Sequence, residues 1–316
     1  MRVFQGSEAL EKPPRRAVVT VGNFDGLHVG HQAILRTVTR RAAALDGRAV
    51  VYTFEPHPRK VLRPDDPPRL LATLEQKLEL LERYGADVVV VEPFDRNFAS
   101  LTPERFVRQV LHARLGPVEV YVGYDFRFGR DREGSMRTLT ELGPRLGFAV
   151  TIIPEVTIGE RDVNSTRIRE LLGQGRVEEA APLLGRPYAV RGRVVEGDRR
   201  GRSLGFPTAN LGAENEILPE VGVYAGRLCL LDDGKPDAGS EFDAVTNVGR
   251  RPTFKDSDPV LAEAHLLDFD GELYGRRVEL SFLAHLRAER RFPDVDALRR
   301  QIAADAQEAR RRLAAG

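Results

Sequence analysis

The sequence predicts an α/β protein of two domains: an N-terminal doubly wound parallel sheet, then an antiparallel β-barrel with a terminal helix. Three observations predict it. Residues 17–172 alternate short valine-rich runs with helical patterns, the rhythm of a parallel sheet with crossover helices. From residue 188 onward the runs are alternating or β-rich and are separated by glycine and aspartate turns, as in an antiparallel sheet or small barrel. A length of 316 residues is too great for one average domain and suits two.

The apolar runs of the first half are AVVTV (17–21), AVVYTF (49–54), DVVVV (87–91), VEVYV (118–122) and FAVTII (148–153). Nearly unbroken runs of this kind suit strands buried on both faces. The helices between them have readable ends. Thr73 and Gln76 hold capping-box spacing, Leu74, Leu78 and Leu81 follow on one face, and Gly85 stops the helix. Thr102 followed by Pro103 is a cap and first-turn proline, and Gly116 ends that helix. GQGRVEEAAPLLGRP then concentrates breakers, so the domains are expected to divide as 1–183 and 184–316. The second half contributes YAVRGRVVE (188–196), GVYAGRLCLL (222–231), FDAVTNV (242–248), LAEAHLLDF (261–269) and RRVELSF (276–282). Leu298, Ile302, Ala306, Ala309 and Leu313 form the apolar stripe of a closing helix.

The formal net charge of +1 argues against a dedicated nucleic-acid or acidic-membrane binder. One cysteine, Cys229, leaves neither a disulfide framework nor a thiolate metal site and reads as a small core residue. The first residues, MRVFQGSEALEKPPRR, have no apolar core and no small-residue cleavage site. No apolar stretch is long enough to span a bilayer. A cytoplasmic setting is expected.

The densest cluster of special residues is VTVGNFDGLHVGHQ at 20–33. It leaves the first valine run and enters the first helix, the place where a doubly wound sheet presents backbone N–H groups to a phosphate. Its glycines allow a sharp turn and close approach of a ligand. His28 and His31 are expected one helical turn apart on one face, where imidazoles stabilise charge on a phosphate. The stretch matches neither GxxxxGK[ST] nor GxGxxG, and no third ligand stands at a zinc-site spacing.

GNFDGLHVGH resembles the HxGH signature of the nucleotidyltransferase superfamily. The longer form is similar to that of the prokaryotic bifunctional riboflavin kinase/FMN adenylyltransferases, or FAD synthetases. TFEPHP (53–58), VGYDFRFG (122–129), NSTRIRELL (164–172), LGRPY (184–188), GRSLGFPTANL (201–211), GVYAG (222–226), TNVGRRPTF (246–254) and EAHLLDFDGELYG (263–275) agree with that family, in order, across nearly the whole chain.

The resemblance implies two activities. In the N-terminal half it implies FMN adenylylation, with His28 and His31 catalytic. ATP would be held by Gly22, Asn23, Phe24, Asp25, Gly26, His28 and His31, and by Ser165, Thr166, Arg167 and Arg169 of STRIR. Ser165 and Thr166 can also cap a helix facing phosphates. His57, Asp125, Phe126 and Arg127 would meet the flavin phosphate and nucleotide; His57 fits a turn and Phe126 a core position equally well. In the C-terminal half the resemblance implies riboflavin phosphorylation. Gly201, Gly205, Pro207, Thr208 and Asn210 of GRSLGFPTAN, with Asn247, would hold nucleotide and flavin. Thr208 and Asn210 alternate along an extended segment and are reasonable hard ligands for Mg²⁺ carried with ATP. Glu263 matches the family's catalytic glutamate, the base for the riboflavin hydroxyl; it also fits a solvated strand carboxylate. Arg290 and Phe292 of LRAERRF would close over the flavin. The implied partners are riboflavin, FMN, FAD and ATP, with no nucleic acid and no membrane. The open alternatives are an HxGH enzyme with another phosphorylated acceptor and a C-terminal half that binds flavin without catalysis.

Overall fold

The computed structural model describes residues 1–159, 161–197, 205–231, 237–250 and 260–314. The chain forms two compact units, Met1–Asn164 and Ser165–Gly316.

The first unit is built on six parallel strands: β1 (Arg2–Gln5), β2 (Ala17–Val21), β3 (Arg48–Glu55), β4 (Val88–Pro93), β5 (Pro117–Gly123) and β6 (Ala149–Ile153). Their order is β1-β4-β3-β2-β5-β6. The chain winds outward from β2 through β3 and β4, then returns to β5 and β6 on the other side. The switch point is therefore between β2 and β5, where open α/β sheets take ligands at their carboxyl ends. Helices α1 (Val29–Ala44), α2 (Pro58–Leu62), α3 (Leu74–Arg83), α4 (Arg96–Ala99), α5 (Pro103–Arg105, continued by a wider-turned stretch Phe106–Leu115) and α6 (Met136–Arg145) fill the connections. Strand residues alternate between two cores. Val19, Val21 and Tyr52 meet Phe106, Leu111 and Leu139 on one face; Val51 and Val89 meet Leu35 and Leu81 on the other. The Thr73–Gln76 capping box forms as expected, and Gly116 ends its helix in the left-handed conformation at φ 54°.

Two expectations about strands need correction. The run 17–21 is the second strand, because RVFQ at the amino terminus pairs in parallel with β4. The 3₁₀ turn after it is pinned by buried Glu92, which accepts from the Ser7 amide at 2.8 Å and from the Tyr52 hydroxyl at 2.6 Å. Strand β6 is not buried on both faces: it lies at the sheet edge and Ile152 is 39% exposed. A run of apolar residues does not reveal whether its outer neighbour exists. A small hairpin of β7 (Thr157–Ile158) and β8 (Arg161–Asp162) follows.

The second unit opens with α7 (Ser165–Gly173) and α8 (Val177–Leu184). Both pack on a closed antiparallel barrel of order β10-β13-β12-β11-β14-β9. Its strands are β9 (Tyr188–Val195), β10 (Ala209–Ala213), β11 (Gly222–Leu230), β12 (Glu241–Arg250), β13 (Val260–Leu266) and β14 (Arg277–Arg287). The Glu220 amide donates to the Leu172 carbonyl, and the His285 amide to Glu178 Oε1, which fixes the helix pair to the barrel. Helix α9 (Val295–Ala314) covers Val223, Val245 and Leu267 with Ala309 and Leu313. Arg287 and buried Asp305 clamp it to β14 at 2.7 Å. The stripe is fully buried only toward its carboxyl end; Leu298 and Ile302 are half-buried.

Candidate active sites

In the first unit, β2 ends at Val21 and the Gly22 amide donates to the Tyr52 carbonyl at 3.1 Å. The chain then reverses. Phe24 is left-handed at φ 51°, Gly26 at φ 73°, and Asp25–Leu27 make a short 3₁₀ turn. Gly22 has no room for a side chain without pressing the Phe24 ring, 3.2 Å away. Asp25 is buried, and its carboxylate accepts the Leu71 amide at 3.0 Å. It therefore ties the turn to the segment before α3.

His28 is not inside the helix, as the spacing alone suggested. It is the N-cap of α1, and its Nδ1 accepts the His31 amide at 3.4 Å. That bond leaves His28 Nε2 as the ring's donor nitrogen. The two imidazoles stack, with centroids 3.6 Å apart and planes at 21°, and Phe24 lies against His31 at 5.2 Å. His31 Nδ1 is buried without a hydrogen-bond partner among the described residues. Burial, then His28, then Lys77 push the His31 pKa well below 6.5. The folded chain thus holds His31 neutral where the unfolded chain protonates it. Stability from this site is fully present above pH 6.5 and declines as pH falls below it, by at most about 1.4 kcal/mol per unit for one proton. Urea unfolding between pH 7.5 and 5.5 measures this, and His31→Asn should flatten the profile.

His57 caps α2 and is buried, its Nδ1 accepting the Arg59 amide at 3.1 Å. Asp125 and Arg127 are exposed beyond β5. Phe126 is half-buried and stacks on Phe128 at 5.3 Å, so it belongs to the core and still shows a face. Through Phe128 and Phe106 it connects to a group that motif reading missed. Phe54 near the end of β3, Phe94 just after β4 and Phe98 in α4 contact one another at 5.6–6.0 Å, Phe94 edge-on to both others and Phe54 tilted against Phe98, each half-buried. Three phenylalanines ending neighbouring segments were the available signal.

In the second unit, α7 begins at Ser165. Asn164 therefore stands at the capping position, and Ser165, Thr166, Arg167 and Arg169 fill the first turns, where the helix dipole favours an anion.

The barrel builds its own row. Asn210 on β10 pairs with Glu263 on β13, and Glu263 pairs with Asn247 on β12. Three residues from distant segments thus stand side by side on one face. Asn210 is buried and its Oδ1 has no partner among the described residues. Gly197 lies so close that a Cβ there would meet Asn210 Nδ2 at 2.2 Å. Thr208 is half-buried just before β10, and Gly205 turns the chain at φ 87°. His265, which the motif left without a role, bonds through Nδ1 to the Pro207 carbonyl at 2.8 Å and meets the Phe206 ring edge-on. It holds the segment that carries Thr208. Gly201 lies outside the described residues. Between β14 and α9 is a cavity of about 400 Å³ lined by Arg290, Arg291, Phe292, Arg300 and Gln301. The Arg290 guanidinium sits 5.1 Å from the Phe292 centroid. Cys229 is half-buried and burial pushes its thiol pKa up, in keeping with a packing role.

Two family models match in tandem: FAD synthetase over residues 10–167 and riboflavin kinase over 184–313. The bifunctional riboflavin kinase/FMN adenylyltransferase of Escherichia coli K12 is 38% identical over 98% of this chain and 97% of its own. The chain belongs to the bifunctional riboflavin kinase/FMN adenylyltransferase family. The Bacillus subtilis enzyme of that name is 36% identical over 95% of this chain and 93% of its own. A crystal structure titled as a macrolide-efflux protein from Streptococcus pneumoniae superposes with a TM-score of 0.87, at 29% identity over 98% of both chains. The family fold thus extends to a chain titled for another activity. Among the described residues of the present one, no helix is long and apolar enough to cross a membrane.

Proposed function

We propose that this chain phosphorylates riboflavin to FMN with ATP in residues 184–316 and adenylylates FMN to FAD, with release of pyrophosphate, in residues 1–183. The observation that carries the reading is the presence on one chain of two separate arrangements: a stacked histidine pair at a sheet switch point and a carboxylate flanked by two amides on a barrel.

The two arrangements suit two different demands. In adenylyl transfer the FMN phosphate is already an anionic nucleophile. An oxygen of it attacks the α-phosphorus of ATP as the bond to the pyrophosphate oxygen breaks, and no side chain need carry a proton. The site must align two anions and stabilise charge. Neutral imidazoles and the amides at the start of α1 do this. The cluster of Phe54, Phe94 and Phe98 offers an apolar surface for the flavin ring. Riboflavin phosphorylation differs, since a neutral 5′-hydroxyl must lose its proton as its oxygen attacks the γ-phosphorus and ADP leaves. Glu263 is the acceptor of that proton.

Among the described residues no group of three or more His, Cys, Asp or Glu side chains could hold a metal ion. A hard cation would be shared with nucleotide phosphates, and the Oδ1 of Asn210, without a partner among the described residues, fits that role with the Thr208 hydroxyl. Bound there, Mg²⁺ would neutralise phosphate charge. The reading places the enzyme in the cytoplasm, where a lone Cys229 stays reduced.

Incubation with riboflavin, ATP and Mg²⁺, followed by chromatography of the flavins, tests the reading: FMN should appear first and FAD follow. FMN alone would point to another acceptor at the histidine site; FAD only from added FMN would leave the barrel a binding domain. A second expected result is local. Gly197→Ala should slow FMN formation about 10²-fold by displacing Asn210, while FAD formation from added FMN stays unchanged.

A further inference from the structure

Lysine is seldom buried without a partner. Lys77 is the fourth residue of α3, four after the Thr73 cap, and is only 4% exposed. Its helix packs against the Asp25–Leu27 turn. The acids whose charge it feels are Glu55, at the end of β3, and Asp25. Asp25 already engages its carboxylate with the Leu71 amide. On its other side Lys77 is close enough for its charge to disfavour protonation of His31. The ammonium is thus buried within electrostatic reach of Asp25, Glu55 and His31, with burial lowering its pKa.

Charge bookkeeping shows what such a group would do there. Asp25, Glu55 and Lys77 together carry one negative charge while the histidines are neutral. The site must then accept a triphosphate beside a phosphomonoester. Without Lys77 the same pocket would present one more unit of negative charge to those anions, in surroundings where poor screening magnifies each charge.

We propose that Lys77 supplies the fixed positive charge of the adenylyl-transfer site and sets its affinity for the triphosphate of ATP. The proposal rests on the adenylyltransferase reading above. Lys77 is a positioning residue: it favours triphosphate in the pocket and leaves the FMN ring and the kinase half untouched. Helix α3 carries the ammonium to the site from a segment outside the GNFDGLHVGH motif.

The test compares wild type, Lys77→Met and Lys77→Arg in FAD formation from FMN, with ATP and FMN varied separately and riboflavin phosphorylation measured on the same preparations. Lys77→Met keeps the apolar stem and removes the charge. It should raise KM for ATP about tenfold or more, leave KM for FMN and FMN formation within about twofold, and be largely restored by Lys77→Arg. KM for pyrophosphate in the reverse reaction should rise in step. A purely structural lysine would behave otherwise: its loss would lower the melting temperature through the carboxylates left behind, with no selective rise in KM for ATP. A wild-type KM for ATP in Lys77→Met would therefore overturn the proposal. So would a loss that raises both KM values and that arginine does not rescue. If Lys77→Met fails to fold, Lys77→Gln takes its place under the same criteria. Wild type that makes no FAD from FMN and ATP would overturn the underlying reading instead.

Discussion

His31→Ala should reduce FAD formation about 10³-fold while FMN formation from riboflavin continues at the wild-type rate. The size follows from what the ring does. It stacks on His28 at 3.6 Å, and its Nδ1 is buried with no partner among the described residues. A desolvated donor or acceptor with nothing bound is costly to maintain for stability alone, which argues that substrate supplies the missing partner. His28→Ala removes the N-cap of α1 as well as a ring. It should therefore lower stability by about 1 kcal/mol in addition to abolishing FAD formation, whereas His31→Ala should leave the melting temperature nearly unchanged above pH 6.5. Flavin chromatography with riboflavin and with FMN as alternative starting points, beside thermal melts, separates the two effects. Loss of both activities from a folded His31 variant would contradict the assignment of separate sites.

The sheet was legible because burial on two faces leaves valine runs, and the first site because a turn that must reverse within a few residues leaves glycines. What escaped was set by neighbours distant in sequence. The spacing of His28 and His31 is the same whether His28 caps the helix or lies within it; the left-handed Phe24 and the 3₁₀ turn decide the matter. In LEQKLELLER nothing marks Lys77 as buried; the packing of α3 against the Asp25 turn decides it. Strand β1 has only four residues, too few for a period to show. His265 lies two positions after the motif glutamate, on the same strand face, and only the barrel brings it to the Pro207 carbonyl.

Register was the other hidden quantity, and it bears on the second large effect. Nothing in PTAN, TNVGRRP or EAHLL says that Asn210, Glu263 and Asn247 align; a slip of one residue would send Glu263 to the opposite face. The pairing places Glu263 between Asn210 and Asn247 on one face of the barrel wall, in a polar row rather than alone. Glu263→Gln preserves shape and donor capacity but cannot take a proton from the riboflavin hydroxyl. It should lower kcat for FMN formation about 10³-fold with little change in KM for riboflavin, and leave FAD formation from added FMN intact. Glu263→Asp should recover part of the rate, since the base survives and only its reach shortens. If Glu263→Gln instead raised KM and spared kcat, Glu263 would be a binding residue, and the proton would have to leave by another route.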